Sequence, residues 1–144
     1  MGEDTTLYID SNVLINAAAD DTSLGDEARK IIVAIEANRI NAVTSCLTLD
    51  EVCWTLRRAD PGKNIETCRI LLSSKIRFLD VTKTILRETF DVMQTFRLKP
   101  RDALHVATMK MHNVKHIISE DSDFDRVSNI QRMTIKQVTQ NERL

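Results

Sequence analysis

Acidic residues stand at four places along the chain where a strand pattern ends or a helix pattern begins. They are Asp10, Glu51, Asp102, and the pair Asp121 and Asp123. In an open parallel sheet the carboxyl ends of the strands share one edge, which is the usual place for a ligand. Carboxylates crowded at one edge repel each other, so a bound cation would offset their charge. Oxygen ligands of this kind favour Mg²⁺ or Mn²⁺ over zinc, and the spacing therefore predicts a divalent-metal site.

The first two acids also have ordinary structural explanations. Asp10 would make a good N-cap for the helix predicted after it, although Ser11 would serve as well. The segment Thr48-Leu-Asp-Glu51 has the form of a capping box, in which Glu51 reaches back to the start of its helix, and Asp50 stands directly beside Glu51. Since a helix that begins after the second strand faces the same edge of the sheet, Glu51 is still predicted to belong to the site.

The later acids likewise have both a structural explanation and a functional one. Asp102 lies in the first turn of a predicted helix, where a carboxylate interacts favourably with the helix dipole, but from there it also points toward the site edge. Asp121 and Asp123 lie in an Asp-rich turn. We expect Phe124 to anchor this turn and leave both carboxylates on one side. Ser119, at the end of the preceding strand, would add a hydroxyl.

Strand and helix patterns alternate along the 144 residues. Strands are predicted at residues 6–10, 41–45, 76–81 and 116–119, with a fifth at 132–135. Helices are predicted at 11–19, 26–38, 48–58, 63–73, 82–98 and 101–112, and the polar C-terminal residues are expected to fray. This alternation predicts a three-layer α/β fold, in which helices flank a mostly parallel sheet of four to five strands. The length suits one domain spanning residues 1–144.

Composition narrows the possible classes of protein. Hydrophobic residues make up 42% and charged residues 28% of the chain, which is ordinary for a globular protein. Aromatic residues make up only 4%, so base-stacking platforms would be few. The acidic start Met1-Gly-Glu-Asp predicts no signal peptide, no apolar run suits a membrane span, and we expect a cytoplasmic protein. The spacing of the histidines and cysteines does not suggest zinc, and the cysteines are expected to be reduced.

The motifs together resemble the PIN domain. The resemblance rests on Leu7-Tyr-Ile-Asp-Ser-Asn-Val-Leu-Ile15, Glu51-Val52, Arg101-Asp-Ala-Leu-His-Val-Ala107 and Ile117-Ile-Ser-Glu-Asp-Ser-Asp-Phe124, in that order. It extends from about residue 7 to residue 135. A small chain of this kind is similar to the VapC-type toxins of prokaryotic toxin–antitoxin pairs.

The resemblance implies a metal-dependent endoribonuclease. It implies that Asp10, Glu51, Asp102 and Asp121 are catalytic and bind Mg²⁺ or Mn²⁺, with Asp123 sometimes added to the set. Ser11 and Ser119 match small hydroxyl residues that line the family's site. The family also implies a homodimer and an antitoxin partner that silences the enzyme.

Other features of the sequence bear on the RNA substrate and on competing functions. Arg58 and Arg101 are candidates for contacting the RNA backbone, although a solvated helix face is the favoured explanation for each of them. One alternative is a non-catalytic PIN-like scaffold that binds RNA or protein. A phosphotransfer enzyme of another α/β class is a second, but the residues Asp10-Ser-Asn12 do not form the Asp-x-Asp that a haloacid-dehalogenase-like phosphatase needs, and no P-loop is present.

Overall fold

Five parallel strands form a single sheet in the computed structural model, which describes residues 5–141. The strands are β1 Thr6–Ile9, β2 Asn41–Ser45, β3 Arg77–Leu79, β4 His116–Ile118 and β5 Gln131–Met133. They lie in the order β3-β2-β1-β4-β5, and every neighbouring pair is parallel. The order reverses between β1 and β4, which makes that crevice the expected place for a ligand. The prediction about a signal peptide depended on residues 1–4, which lie outside the described part of the chain.

Helices cover both faces of the sheet. They are α1 Ser11–Ala19, α2 Ser23–Glu36, α3 Cys46–Leu56, α4 Pro61–Leu72, α5 Lys83–Phe96, α6 Pro100–Met111 and α7 Ile135–Asn141, with a short 3₁₀ helix at Ser122–Arg126. The predicted three-layer α/β fold is therefore confirmed. Among residues 5–141, no helix combines the length and apolar character needed to cross a membrane.

Alternating side chains of the strands supply two separate cores. On β1, Leu7 and Ile9 pack into the core under α1, α2 and α7, whereas Tyr8 packs into the core under α5 and α6. Strand β4 divides in the same way, with Ile118 in the first core and Ile117 in the second. Because successive side chains of a strand point to opposite faces, burial on both faces fixes the register of β1 and β4. The carboxyl ends of these strands are held rigidly side by side.

Four helices, α2, α3, α4 and α6, begin one to three residues earlier than the sequence predicted. Helix α2 begins at Ser23 rather than at residue 26, because the side chain of Thr22 accepts a hydrogen bond from the Leu24 N–H and so caps the helix. Gly25 falls inside this helix, where an added Cβ would lie 1.8 Å from the carbonyl oxygen of Asp20. Helix α3 begins at Cys46, so Thr48 is not its cap.

The C-terminal region is more ordered than the sequence predicted. Residues 135–141 form helix α7 instead of a frayed tail, while residues 142–144 lie outside the described part of the chain. Ile135 and Val138 are fully buried against the first core. Glu120 accepts a hydrogen bond of 2.7 Å from the Ile135 N–H and so connects the start of α7 to the loop after β4. Strand β5 also lies earlier, at 131–133 rather than 132–135.

Candidate active site

The carboxyl ends of β1 and β4 bring Asp10 and Ser119 together. Asp10 follows β1 and its backbone N–H donates to the Ile118 carbonyl of β4 at 3.1 Å. Ser119 follows β4, and its hydroxyl donates to Asp10 Oδ2 at 2.5 Å. Asp10 also caps α1, since its Oδ1 accepts from the Ser11 N–H at 2.7 Å. Asp10 is therefore both the helix cap and a member of the predicted site, and the two explanations do not compete.

Asn12 connects the same two strand ends, and the sequence reasoning gave it no role. Its amide donates to Asp10 Oδ2 at 3.0 Å and to Ser119 Oγ at 3.1 Å. Its Oδ1 accepts from the Glu120 N–H at 3.3 Å. These bonds hold the Asp10 carboxylate, which is 5% exposed, in one orientation. The position of Asn12, two residues after Asp10 in the first turn of α1, was the available signal.

Three further carboxylates converge beside this network. Asp102 comes from the first turn of α6, while Asp121 and Asp123 come from the loop and 3₁₀ helix that follow β4. One carboxylate oxygen of each lies within 4.8 Å of the others. The Asp123 N–H donates to Asp121 Oδ1 at 2.9 Å, and the side chain of Phe124 is fully buried, as predicted. The turn is thus held by its phenyl group and presents its two acids toward α6.

The crowded charges change the proton affinity of the acids. Burial, together with the charges of Asp121 and Asp10, raises the pKa of Asp102 from 3.8 to about 6. Burial also raises the pKa of Asp10, although His105 and the hydrogen bonds from Ser119 and Ser11 oppose that change. A cation placed among these groups would relieve both the repulsion and the desolvation.

Glu51 enters the site through a contact that the sequence did not predict. Its Oε1 lies 2.6 Å from His105 Nε2, and its side chain is 15% exposed. The predicted capping box is wrong, because the buried Thr48 hydroxyl accepts from Thr44 Oγ1 at 2.7 Å instead of capping α3. Asp50, the neighbouring candidate, is exposed. The geometry therefore brings Glu51, and not Asp50, to the site.

His105 lies in the protein interior next to two of the acids, Glu51 and Asp10. It is fully buried; its Nδ1 is 2.8 Å from Tyr8 Oη, and its Nε2 is 3.8 Å from Asp10 Oδ1. Burial alone would lower its pKa, but the oxygen of Tyr8 and the carboxylates of Glu51 and Asp10 raise the pKa above 6.5. The sequence alone assigned His105 no role in the site. Its position three residues after Asp102, on the same helix face, was the signal for a link to the site.

Basic side chains border the acidic cluster. Arg126 Nη2 lies 3.1 Å from Asp123 Oδ1, and Lys99 Nζ lies 3.8 Å from Asp123 Oδ2. The two arginines singled out from the sequence, Arg58 and Arg101, are exposed. Positive charge next to the cluster suits a polyanionic ligand.

The donor set fits a hard divalent cation. Asp102, Asp121 and Asp123 offer only carboxylate oxygens, which are the ligands preferred by Mg²⁺ and Mn²⁺. No sulfur ligand lies in this group, so zinc has no comparable advantage here.

The fold and the site define a PIN domain. The PIN domain family model matches residues 7–130, and this chain belongs to that family, as its motifs predicted. A curated relative is ribonuclease VapC2 of Methanocaldococcus jannaschii, which is 28% identical over 139 residues, a match that spans 87% of this chain and 91% of the relative.

Solved structures share the fold. VapBC2 from Rickettsia felis, bound to a DNA fragment from its promoter, superposes with a TM-score of 0.72 at 13% identity and covers 90% of this chain and 98% of its own. VapC20 of Mycobacterium tuberculosis, a toxin that cleaves the sarcin-ricin loop, gives a TM-score of 0.71 at 15% identity, with coverage of 86% and 96%. At these identities the likeness establishes the fold.

Proposed function

We propose that this chain is a metal-dependent endoribonuclease and the toxin of a toxin–antitoxin pair, built as one nuclease domain. The observation that carries the proposal is the convergence of Asp102, Asp121 and Asp123 within 4.8 Å, at the crevice where the strand order reverses. Membership of the PIN domain family and similarity to a VapC ribonuclease support this assignment. We propose that the chain acts on RNA in the cytoplasm.

The five acids divide into proposed metal ligands and an acid that orients the attacking water. Asp102, Asp121 and Asp123 would hold Mg²⁺ or Mn²⁺, with Asp10 beside them, where its charge already affects Asp102. When bound, such an ion neutralises phosphodiester charge, lowers the pKa of a water and stabilises the leaving oxygen. Glu51 uses Oε1 for its bond to His105, so its other oxygen is available to orient the attacking water. Ser119 and the backbone N–H of Ser11 keep the Asp10 carboxylate in position.

Contacts to the RNA backbone would come from the basic border. Lys99 and Arg126 pair with Asp123. A cation on Asp123 would weaken those pairs and leave both side chains available for phosphate. Arg58 and Arg101, both exposed, are secondary candidates. Such contacts position the RNA but do not read its sequence.

Cleavage of a labelled single-stranded RNA tests the nuclease proposal. Purified protein should cleave in Mg²⁺ or Mn²⁺ and stop when EDTA is added. Asp121→Asn should remove most activity, whereas Asp125→Asn should retain it, because Asp125 is exposed and paired with Arg132. Cleavage that persists in EDTA, or equal activity in both variants, would contradict the proposal. Metal-dependent RNA binding without cleavage would support a scaffold instead.

The toxin assignment has its own test. Expression of the chain alone should slow growth, and Asp102→Asn should relieve the effect. Co-expression of a partner protein, to be sought as a small reading frame beside this gene, should also relieve it. We propose that this partner is an antitoxin and that the toxin is a homodimer, which size-exclusion chromatography with light scattering would reveal. Normal growth of cells that contain active nuclease would remove the toxin assignment and leave the ribonuclease assignment in place.

A further inference from the structure

A buried chain of polar side chains connects the second core to the acidic site. It runs from Tyr8 on β1, through His105 on α6, to Glu51 on α3, with bonds of 2.8 Å and 2.6 Å. Tyr8 and His105 are both fully buried, and their rings meet edge to face with centroids 5.6 Å apart. Apolar residues of α6 surround the histidine in sequence and are themselves buried, Ala103, Val106, Ala107 and Met109.

The burial of a polar imidazole among apolar residues calls for a physical explanation. Burial of a polar side chain is unfavourable unless all of its hydrogen bonds are satisfied, and an apolar side chain of similar size is commonly as stable. Here both ring nitrogens have partners. The partner at Nε2 is not another core residue but Glu51, whose side chain reaches the open side of the site.

The bond between His105 and Glu51 has a defined direction. A carboxylate can only accept, so the proton lies on Nε2 of His105 whether the ring is neutral or charged. Glu51 has a long side chain with several freely rotating bonds, and one short bond to a fixed donor removes most of that freedom. The hydroxyl of Tyr8 at Nδ1 fixes the ring itself. The hydrogen bonds from Tyr8 through His105 to Glu51 thus determine where the second carboxylate oxygen of Glu51 lies.

We propose that His105 is a positioning residue that holds Glu51 in its working orientation, with Tyr8 setting the plane of the imidazole. The inference rests on the proposed nuclease function, because it concerns the acid that would orient the attacking water. His105 cannot touch RNA, since it is fully buried, and it therefore acts through Glu51. It also lies 3.8 Å from Asp10 Oδ1, between the two acids.

A matched pair of substitutions separates positioning from packing. In His105→Gln the amide nitrogen can reach the place of Nε2, whereas in His105→Asn it can reach only the place of Nδ1. We expect His105→Asn to lower kcat by about 10- to 100-fold, the usual effect of removing a supporting hydrogen bond, with KM for RNA little changed, and His105→Gln to recover most of that loss. Val106→Ala, which removes buried core atoms one residue away, should lower the melting temperature but leave kcat unchanged.

A second measurement needs neither metal nor RNA. The Nε2 proton of His105 should give a downfield NMR signal that exchanges slowly with water in the metal-free protein. Glu51→Gln should shift or abolish this signal, and Tyr8→Phe should move it while lowering kcat less than His105→Asn does. If His105→Asn does not fold, as judged by circular dichroism, Tyr8→Phe supplies the kinetic comparison.

The two proposals fail in different ways. Wild-type protein that does not cleave RNA would remove the nuclease function, and the NMR signal would still decide whether His105 holds Glu51. Active protein in which the Gln and Asn variants both keep the wild-type kcat would overturn the positioning role alone. A signal that stays in place in Glu51→Gln would also overturn it.

Discussion

Replacing Asp102 with Asn should make the metal-free protein more stable at pH 7. The carboxylate of Asp102 is ionised at that pH, partly buried, and repelled by Asp121 and Asp10. Asn keeps the shape of the side chain and removes the charge. The same substitution takes away a proposed metal ligand, so stability and metal binding should change in opposite directions.

The structure gives the size of the effect. A rise in the pKa of Asp102 from 3.8 to about 6 corresponds to about 3 kcal/mol at pH 7. The side chain is partly exposed, and solvent screening reduces this to about 1–2 kcal/mol. Loss of the favourable interaction with the dipole of α6 subtracts about 0.3–1 kcal/mol. The net gain should be about 1 kcal/mol, or about 3–4 °C in Tm for a chain of this length.

The gain should depend on pH in a defined direction. Because the folded-state pKa of Asp102 is raised, the folded protein binds a proton more tightly than the unfolded chain. The wild-type protein therefore loses stability as the pH rises from about 4 to about 6. Below pH 4 the wild type and Asp102→Asn should be nearly equal, and above pH 6 the variant should show its full advantage.

Thermal unfolding in EDTA and in Mn²⁺ measures both effects. In Mn²⁺ at a hundred times its Kd, the wild type should gain about 2.7 kcal/mol, the variant much less, and the order of the two Tm values should reverse. Asp50→Asn serves as the control, because Asp50 is exposed on α3 and should change Tm little in either buffer. A variant that is less stable than the wild type in EDTA at pH 7 would refute the electrostatic reasoning.

Three other measurements test the site and the fold. Mn²⁺ affinity, measured by titration calorimetry, should fall as the pH is lowered through about 6, because Asp102 then holds a proton; an affinity that does not vary with pH would contradict this. Glu51→Gln should lower kcat by about 100-fold or more, while Asp50→Asn should cleave normally, and the opposite result would show that the wrong acid was chosen. Gly25→Ala should lower the free energy of unfolding in urea by about 1–3 kcal/mol or more, since its Cβ would meet a backbone oxygen at 1.8 Å, whereas Gly62→Ala, with its nearest contact at 3.6 Å, should have little effect.

Local patterns in the sequence were enough to predict the layers of the fold. The strand segments alternate between two buried faces and the helices have apolar stripes, so each element is visible within its own residues. Helix α7 was missed for the opposite reason. Its buried apolar side chains, Ile135 and Val138, are too few to form a recognisable stripe, and their packing against the core stabilises the helix.

The site was predictable in outline but not in its connections. Asp10, Asp102 and Asp121 could be placed at the sheet edge because each follows a strand or lies in the first turn of a helix. Glu51 was placed there from a helix start that the structure moves back to Cys46. Thr48 and Glu51 resembled a local capping box, but the structure gives each a different partner, Thr44 and His105. His105 is 54 residues from Glu51 in sequence, and nothing within either segment indicates the contact. Hydrogen bonds to residues distant in sequence therefore distinguish Glu51, which reaches the candidate site, from its neighbour Asp50.

The order of the strands also determines when chemistry can begin during folding. Asp10 and Ser119 are 109 residues apart, and Tyr8 and His105 are 97 residues apart. Contacts that close such long loops have a high entropic cost and slow folding. A chain in which only β1, β2 and β3 have formed would carry Asp10 and Glu51 but neither Asp102 nor Asp121. If the proposed site is correct, docking of β4 against β1 completes it, and we expect a partly folded chain not to cleave RNA.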